Sequence, residues 1–291
     1  MYTGLEEIAE VPQTTGDRMG ARRRAATSLA ATALVEDVAR KLAPSGISVM
    51  PVKGALLQHW LYEDPTERPL SDVDLLVRPD ELKRAVKQLE SSGYRSIGRS
   101  SFGAVVLQSP FGLALDLHPS LFDRARYRLP TQELFARSID DTSLYSFGVR
   151  LPSPLDAYAH LIGKFGSDHL DARARARLDE IARMARRIDA PPNTVARHLV
   201  HCGMRRVSRY VLPLVHQATG EPFALQVLDC LPFDPIGQGI AAIAYLGLRD
   251  APALSRSGAL TAHLLNDSLP RGAHSGIRAL FQRVPCRLTL G

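Results

Sequence analysis

Cysteine is scarce in this chain. Its 291 residues hold three, Cys202, Cys230 and Cys286. An odd number at wide spacing builds neither a disulfide framework nor a zinc site, and the expectation is buried thiols in a reducing cytoplasm. Long apolar runs are missing as well. A membrane-spanning helix needs about 20 consecutive apolar residues, and the longest candidates, such as residues 239–248, fall short. The N-terminal stretch carries Glu6, Glu7 and Glu10 without an apolar centre, so it does not read as a signal peptide. Nor does charge of one sign dominate: 36 Lys and Arg oppose 30 Asp and Glu, a net of +6. That excess suits a phosphate-bearing ligand but is too small to argue for nucleic-acid binding by itself. There is no internal repeat or low-complexity tract. His198, His201, His216, His263 and His274 lack metal-ligand spacing.

What is there divides in two. The length suggests about two domains at roughly 150 residues each, and 45% hydrophobic content allows a sizeable core. Residues 1–17 carry Pro, Gly and Thr without periodicity and read as a flexible arm. Residues 18–42 have helical spacing, stopped by Pro44-Ser45-Gly46. A short β-branched strand follows at 47–52, then Lys53-Gly54, then a helix over 55–62 that Asp64-Pro65 breaks. Residues 73–77 read as a second strand. Residues 79–92 are an amphipathic helix, with Leu82, Val86 and Leu89 on one side and Gly93 at its end. Residues 102–108 and 113–118 form an expected hairpin around Ser109-Pro110-Phe111-Gly112, with a further strand at 146–151. After Pro152 and Pro154 the pattern turns helical, at 155–166, 172–188, 192–203 and 207–219, with later pieces at 236–247, 259–266 and 275–282. The expected fold class is α+β: a mixed, mainly antiparallel sheet with flanking helices over 18–151, then an all-helical domain over 152–291.

The chemistry concentrates in residues 68–77, RPLSDVDLLV. Strand side chains alternate faces with period two, so Asp72 and Asp74 project from one face. Two carboxylates that close repel, and each loses hydration when the strand is packed. A hard cation such as Mg²⁺ removes both problems by taking oxygen ligands from each. A third acid sits in Leu113-Ala-Leu-Asp116-Leu-His118, again among apolar residues, with Asp116 and His118 on one face. If that strand lies beside the second, Asp72, Asp74 and Asp116 converge on one or two metal ions. Such a site suits phosphoryl or nucleotidyl transfer, with Asp116 in reach to take the proton of an attacking hydroxyl. Lys53-Gly54 lies between a strand and a helix start, where glycine lets backbone approach an oxyanion and free N–H groups face it. Lys53 and Arg68 would add charge to a triphosphate, with Ser71 and His118 lining the nucleotide side. His160 and Lys164, four apart, share a helix face. The arginines between 173 and 187, interleaved with acids, read as a solvated and partly paired helix face.

These blocks together resemble the bacterial uncharacterised nucleotidyltransferase family of the polymerase β-like nucleotidyltransferase superfamily. The resemblance rests on Val52-Lys53-Gly54-Ala55, Tyr62, Arg68 leading into Ser71-Asp72-Val73-Asp74, Gly93-Tyr94, Asp116-Leu117-His118 and the helix from Pro154 to His160. It covers about residues 25–220. It implies transfer of a nucleoside monophosphate from an NTP such as ATP onto an acceptor hydroxyl, with two Mg²⁺ ions for which Mn²⁺ can substitute. Carried over, Asp72, Asp74 and Asp116 are metal ligands and Gly54 is the phosphate-loop glycine. One feature departs from the pattern: the superfamily's Gly-Ser or Gly-Gly pair is Gly54-Ala55 here, so no hydroxyl at 55 serves the phosphates. A catalytically inactive binding or antitoxin-like module on the same scaffold is the alternative that this departure supports. A glycosyltransferase is another, since Asp-x-Asp also holds Mn²⁺ against a sugar diphosphate. No residue picks the acceptor among small molecule, peptide, protein and RNA.

Overall fold

Helical spacing and period-two alternation lay down the two kinds of element in turn. The computed structural model describes residues 15–99, 103–123, 126–140, 143–145, 149–167, 174–249 and 263–268. Helix α1 (Thr15–Leu42) sends Ala31, Leu34, Val35, Val38 and Leu42 into the core, the apolar stripe of one helical face. A short turn at Ala43–Ser45 ends it, and Gly46 closes that turn with φ at 67°. Strand β1 (Met50–Val52) passes directly into α2 (Lys53–Leu61). Asp64 then accepts the Thr66 N–H at 2.8 Å, fixing the turn that leads to β2 (Asp72–Leu76). Helix α3 (Leu82–Ser91), strand β3 (Arg95–Arg99), strand β4 (Val105–Gln108) and strand β5 (Ala114–His118) follow.

These strands make one mixed sheet in the order β1-β2-β5-β4-β3. β2 and β5 are parallel, and every other neighbouring pair is antiparallel. Parallel neighbours need a crossover, and α3 with the β3–β4 ribbon supplies it. The register sets Val52, Asp74, Asp116 and Val106 side by side across four strands. The alternate residues Val73, Leu75, Val105, Leu107, Leu115 and Leu117 are buried. These residues make one side of the sheet wholly apolar, and the other carries the acids among the buried Met50, Val52 and Leu76.

Several elements differ from the sequence expectation. β2 starts at Asp72, one residue before the expected strand, so both acids of the Asp-x-Asp belong to it. β3 was not expected: its residues Arg-Ser-Ile-Gly-Arg are all exposed and carry no apolar alternation. Helix α4 (Thr131–Ala136) was not expected either. Of the strand expected at 146–151, Arg150–Leu151 forms β7, paired with β6 (Ile139–Asp140); residues 146–148 lie outside the described residues. Cys202 is buried as expected, but Cys230 is exposed.

The rest is helical: α5 (Pro154–Ser167), α6 (Ala174–Ala185), α7 (Pro192–His201), α8 (Arg205–Thr219), α9 (Pro222–Asp229) and α10 (Pro235–Arg249). The short α9 starts where Pro222 suggested only a turn. The helical piece expected at 275–282, and half of that at 259–266, fall outside the described residues. Helix α5 lies close to α8, with Gly166 at the contact: a Cβ there would come within 2.2 Å of Val207 Cγ2. Asp156 of α5 is fully buried and well partnered. Arg137 donates two hydrogen bonds to it at 3.0 and 3.1 Å, Ser153 one at 2.7 Å, and His198 Nε2 lies 3.1 Å away. Helix α6 docks on the end of α2. Arg183 and Arg187 donate to the carbonyls of Leu61 and Trp60 at 3.0 and 2.9 Å, satisfying acceptors that a helix C-terminus leaves open. One hydrophobic core runs through the sheet and these helices, including Leu34, Leu76, Tyr158 and Leu212. Among the described residues no helix is long and apolar enough to cross a membrane.

Candidate active site

Pairing of β2 with β5 places Asp74 directly beside Asp116. Both carboxylates share the sheet face that period two assigns them, and His118 follows Asp116 on that face. Ligand atoms of Asp74, Asp116 and His118 all lie within 4.8 Å of one another. Asp74 is buried, at 4% exposure. Its Oδ1 receives the Lys53 ammonium and faces His118 Nε2 at 2.7 Å. Burial pushes its carboxyl up, but His118 and Lys53 outweigh that and bring it down to about 2. Asp116 goes the other way: burial first, then the neighbouring Asp74, holds its carboxyl above the usual range. The two acids therefore stand apart, one firmly ionised and one readier to accept a proton.

Asp72 heads the strand, half-buried, and accepts a hydrogen bond from Ser71 Oγ at 2.9 Å. It shares the face of Asp74 by alternation and also raises the Asp116 carboxyl, but it stands outside the tight cluster of Asp74, Asp116 and His118. Lys53 follows Val52, the register partner of Asp74. It is the one non-glycine residue with a positive φ, 49°, among the described residues. Gly54 comes next, in the first turn of α2, and nothing larger fits: a Cβ would meet Leu70 Cδ2 at 2.3 Å and Arg68 Nη1 at 2.8 Å. Arg68 lies over this helix start while its Nε donates to Glu180 Oε1 at 2.7 Å. Tyr62 donates to the same Glu180 oxygen at 3.4 Å, and Arg183 stacks 4.7 Å above the Tyr62 ring. Ala55 is fully buried, and its carbonyl accepts from Tyr145.

Three of these links escaped the sequence reading. Nothing in the acid-and-base pattern of α6 singles out Glu180 as the partner of Arg68, 112 residues away. Period two puts His118 near Asp116 but does not reveal its bond to Asp74 across the parallel pair. His160, expected on a helix face with Lys164, is instead buried. Its Nε2 has no hydrogen-bond partner, and burial, then Lys53 and Lys164, takes its imidazole down to about 3. Val52, Lys53, Asp156 and His160 are among the residues that line a small cavity.

A family model described as uncharacterised nucleotidyltransferase matches residues 1–220. The chain belongs to that nucleotidyltransferase family. Among solved structures, it is similar to an antigenic nucleotidyltransferase-like protein from Paracoccidioides brasiliensis, at 17% identity and a TM-score of 0.43, over 69% of this chain and 93% of that one. It is also similar to the Thermotoga maritima CCA-adding enzyme complexed with tRNA, at 14% identity and a TM-score of 0.29, over 87% and 72% of the two chains. No curated protein matches the chain.

The nucleotidyltransferase's own residues fit a divalent cation. Two carboxylates in register, with a third at the head of β2, supply the oxygen donors that Mg²⁺ takes. Burial first, and then Asp74, raises the carboxyl of Asp116, and such an ion would offset both. The His118 ring nitrogen offers one more ligand atom beside them.

Proposed function

We propose that this protein moves a nucleoside monophosphate from an NTP onto an acceptor hydroxyl, with Asp72, Asp74 and Asp116 holding divalent magnesium, two ions in number, for which manganese can substitute. The single observation that carries this reading is the register of Asp74 against Asp116 on parallel strands, beside a helix start kept open by Gly54. When bound, the metal would neutralise charge on the triphosphate and make the α-phosphorus a better electrophile. Asp116, whose carboxyl burial and Asp74 hold above the usual range, takes the proton of the acceptor hydroxyl. The hydroxyl oxygen bonds to the α-phosphorus, the bond to the bridging oxygen breaks, and pyrophosphate leaves with that electron pair. The first turn of α2 at Lys53-Gly54 cradles the phosphates with backbone N–H groups. Arg68 would lend its guanidinium to them from above Gly54, and Ser71 and His118 would orient Asp72 and Asp74. The acceptor belongs to the small molecules, peptides, proteins or RNAs that carry a reactive hydroxyl.

The test is transfer from α-³²P-labelled NTPs in Mg²⁺, with mass spectrometry of candidate acceptors. The expected result is an acceptor heavier by one nucleoside monophosphate, with pyrophosphate released. Asp74→Asn should lower the rate by at least about 10²-fold, the scale of several kcal/mol of lost charge stabilisation. Undiminished transfer in folded Asp74→Asn protein would sink the assignment.

The buried Ala55 favours one second reading, a nucleotide-binding module without transfer. It is separated by calorimetry: tight NTP and Mg²⁺ binding with no labelled product on any acceptor.

A further inference from the structure

Oδ1 of Asp74 is crowded. It accepts the Lys53 ammonium and also faces His118 Nε2 at 2.7 Å. A carboxylate oxygen offers two lone-pair directions, and both are taken here. A divalent ion that uses this oxygen therefore needs one of the two groups to leave. His118 is held at the end of β5, paired with Leu76 of β2, and its carbonyl accepts the Val77 N–H at 3.0 Å. Lys53 is different. It sits at the first position of α2 on a four-carbon stem, with 29% of its side chain exposed. Its backbone occupies the left-handed region at φ 49°, which an L residue adopts only when its surroundings require it. Its neighbour is Gly54, where backbone approaches the phosphates in the reading above.

We propose that Lys53 is a two-position lysine: its ammonium is the resident counter-ion of Asp74 in the metal-free protein, and it swings to the triphosphate when nucleotide and metal bind together. The proposal rests on the reading that Asp74 is a metal ligand. The reason is charge. Asp74 is buried at 4% exposure, and an ionised carboxylate there is costly without a cation beside it. Lys53 meets that need before any metal is present. Once a divalent ion stands at the same carboxylate, the ammonium becomes a like charge at contact distance and is repelled. The triphosphate offers it a new partner within the reach of one side-chain rotation. Metal binding alone thus competes with Lys53, whereas metal and nucleotide together remove the competitor. Each ligand then strengthens the other, and idle metal binding is suppressed.

The test is Mn²⁺ titration of the metal-stripped full chain, with free ion followed by electron paramagnetic resonance. It is run without nucleotide and with an NTP whose α,β-bridge is methylene. The proteins are wild type, Lys53→Gln, Lys53→Gly and Asp74→Asn. Glycine suits the positive φ, so Lys53→Gly is the variant chosen to keep the fold. Both Lys53 variants should bind Mn²⁺ about tenfold tighter without nucleotide, within the usual range of coupling between two ligands. The gain in Mn²⁺ affinity that nucleotide gives the wild type should shrink by the same factor in them. Unchanged or weaker nucleotide-free affinity in the folded variants overturns the proposal. If Asp74→Asn abolishes Mn²⁺ binding while the Lys53 variants match wild type, the lysine proposal alone fails. If Asp74→Asn binds Mn²⁺ like wild type, the metal reading fails and takes this one with it.

Discussion

At the scale of single residues, the site is a set of unlike environments imposed on like groups. Asp74 and Asp116 are chemically the same and stand in register. His118 and Lys53 nevertheless keep the first ionised, while burial and its neighbour push the second toward its neutral form. That separation is what acid–base chemistry on one sheet face requires. Gly54 has a single steric reason for its identity, the 2.3 Å and 2.8 Å approaches that Leu70 and Arg68 would make to a Cβ. Gly54→Ala should destabilise the protein by about 1–3 kcal/mol, the usual cost of an inserted methyl that neighbours must absorb. It should also dislodge Arg68 from Glu180. Urea denaturation measures the first effect and nucleotide calorimetry the second; a Gly54→Ala protein with wild-type stability would refute the close approach.

At the scale of elements, much was legible because alternation is simple. Asp-Val-Asp-Leu-Leu and Leu-Ala-Leu-Asp-Leu-His declare strands with acids on one face, and the fold places them so. Lys53-Gly54 was legible as a strand-to-helix junction. β3 was not, because an all-exposed strand has no core face to leave a pattern. α4 and α9, at six and eight residues, are too short for periodicity to emerge. Pairings across long sequence distances, such as Arg68 with Glu180 or Asp156 with Arg137, leave no local trace at all. The Asp156 cluster is where α4, α5 and α7 are tied together. Removing Arg137 would leave a fully buried carboxylate with a poorer set of partners. Arg137→Leu should therefore cost about 3 kcal/mol or more, the scale for breaking a buried ion pair on one side. Arg183→Leu, which removes one cap from α2, should cost about 1 kcal/mol. Equal losses in chemical denaturation would show that Asp156 is not under that constraint.

At the scale of the whole molecule, the sheet and helices share one core, and a buried imidazole reports on it. His160 stays neutral in the fold down to about pH 3, because burial, Lys53 and Lys164 oppose its proton; a free imidazole takes one near 6.5. Below 6.5 the unfolded chain thus binds a proton that the folded chain refuses. Its contribution is complete above 6.5 and is lost progressively as pH falls toward 3. His160→Leu should flatten that loss: its urea midpoint should change less than that of wild type between pH 6.5 and 4.5. Parallel slopes would refute it. The parallel ladder between β2 and β5 carries a further consequence. Asp116 alternates with Leu115 and Leu117, so sliding β5 by one position would drive an acid into the apolar core and set two leucines against the charges of Asp74 and Lys53. The same lattice of bonds that assembles the reactive acids makes their misalignment self-rejecting. A chain that closes this sheet at all closes it with its chemistry in place.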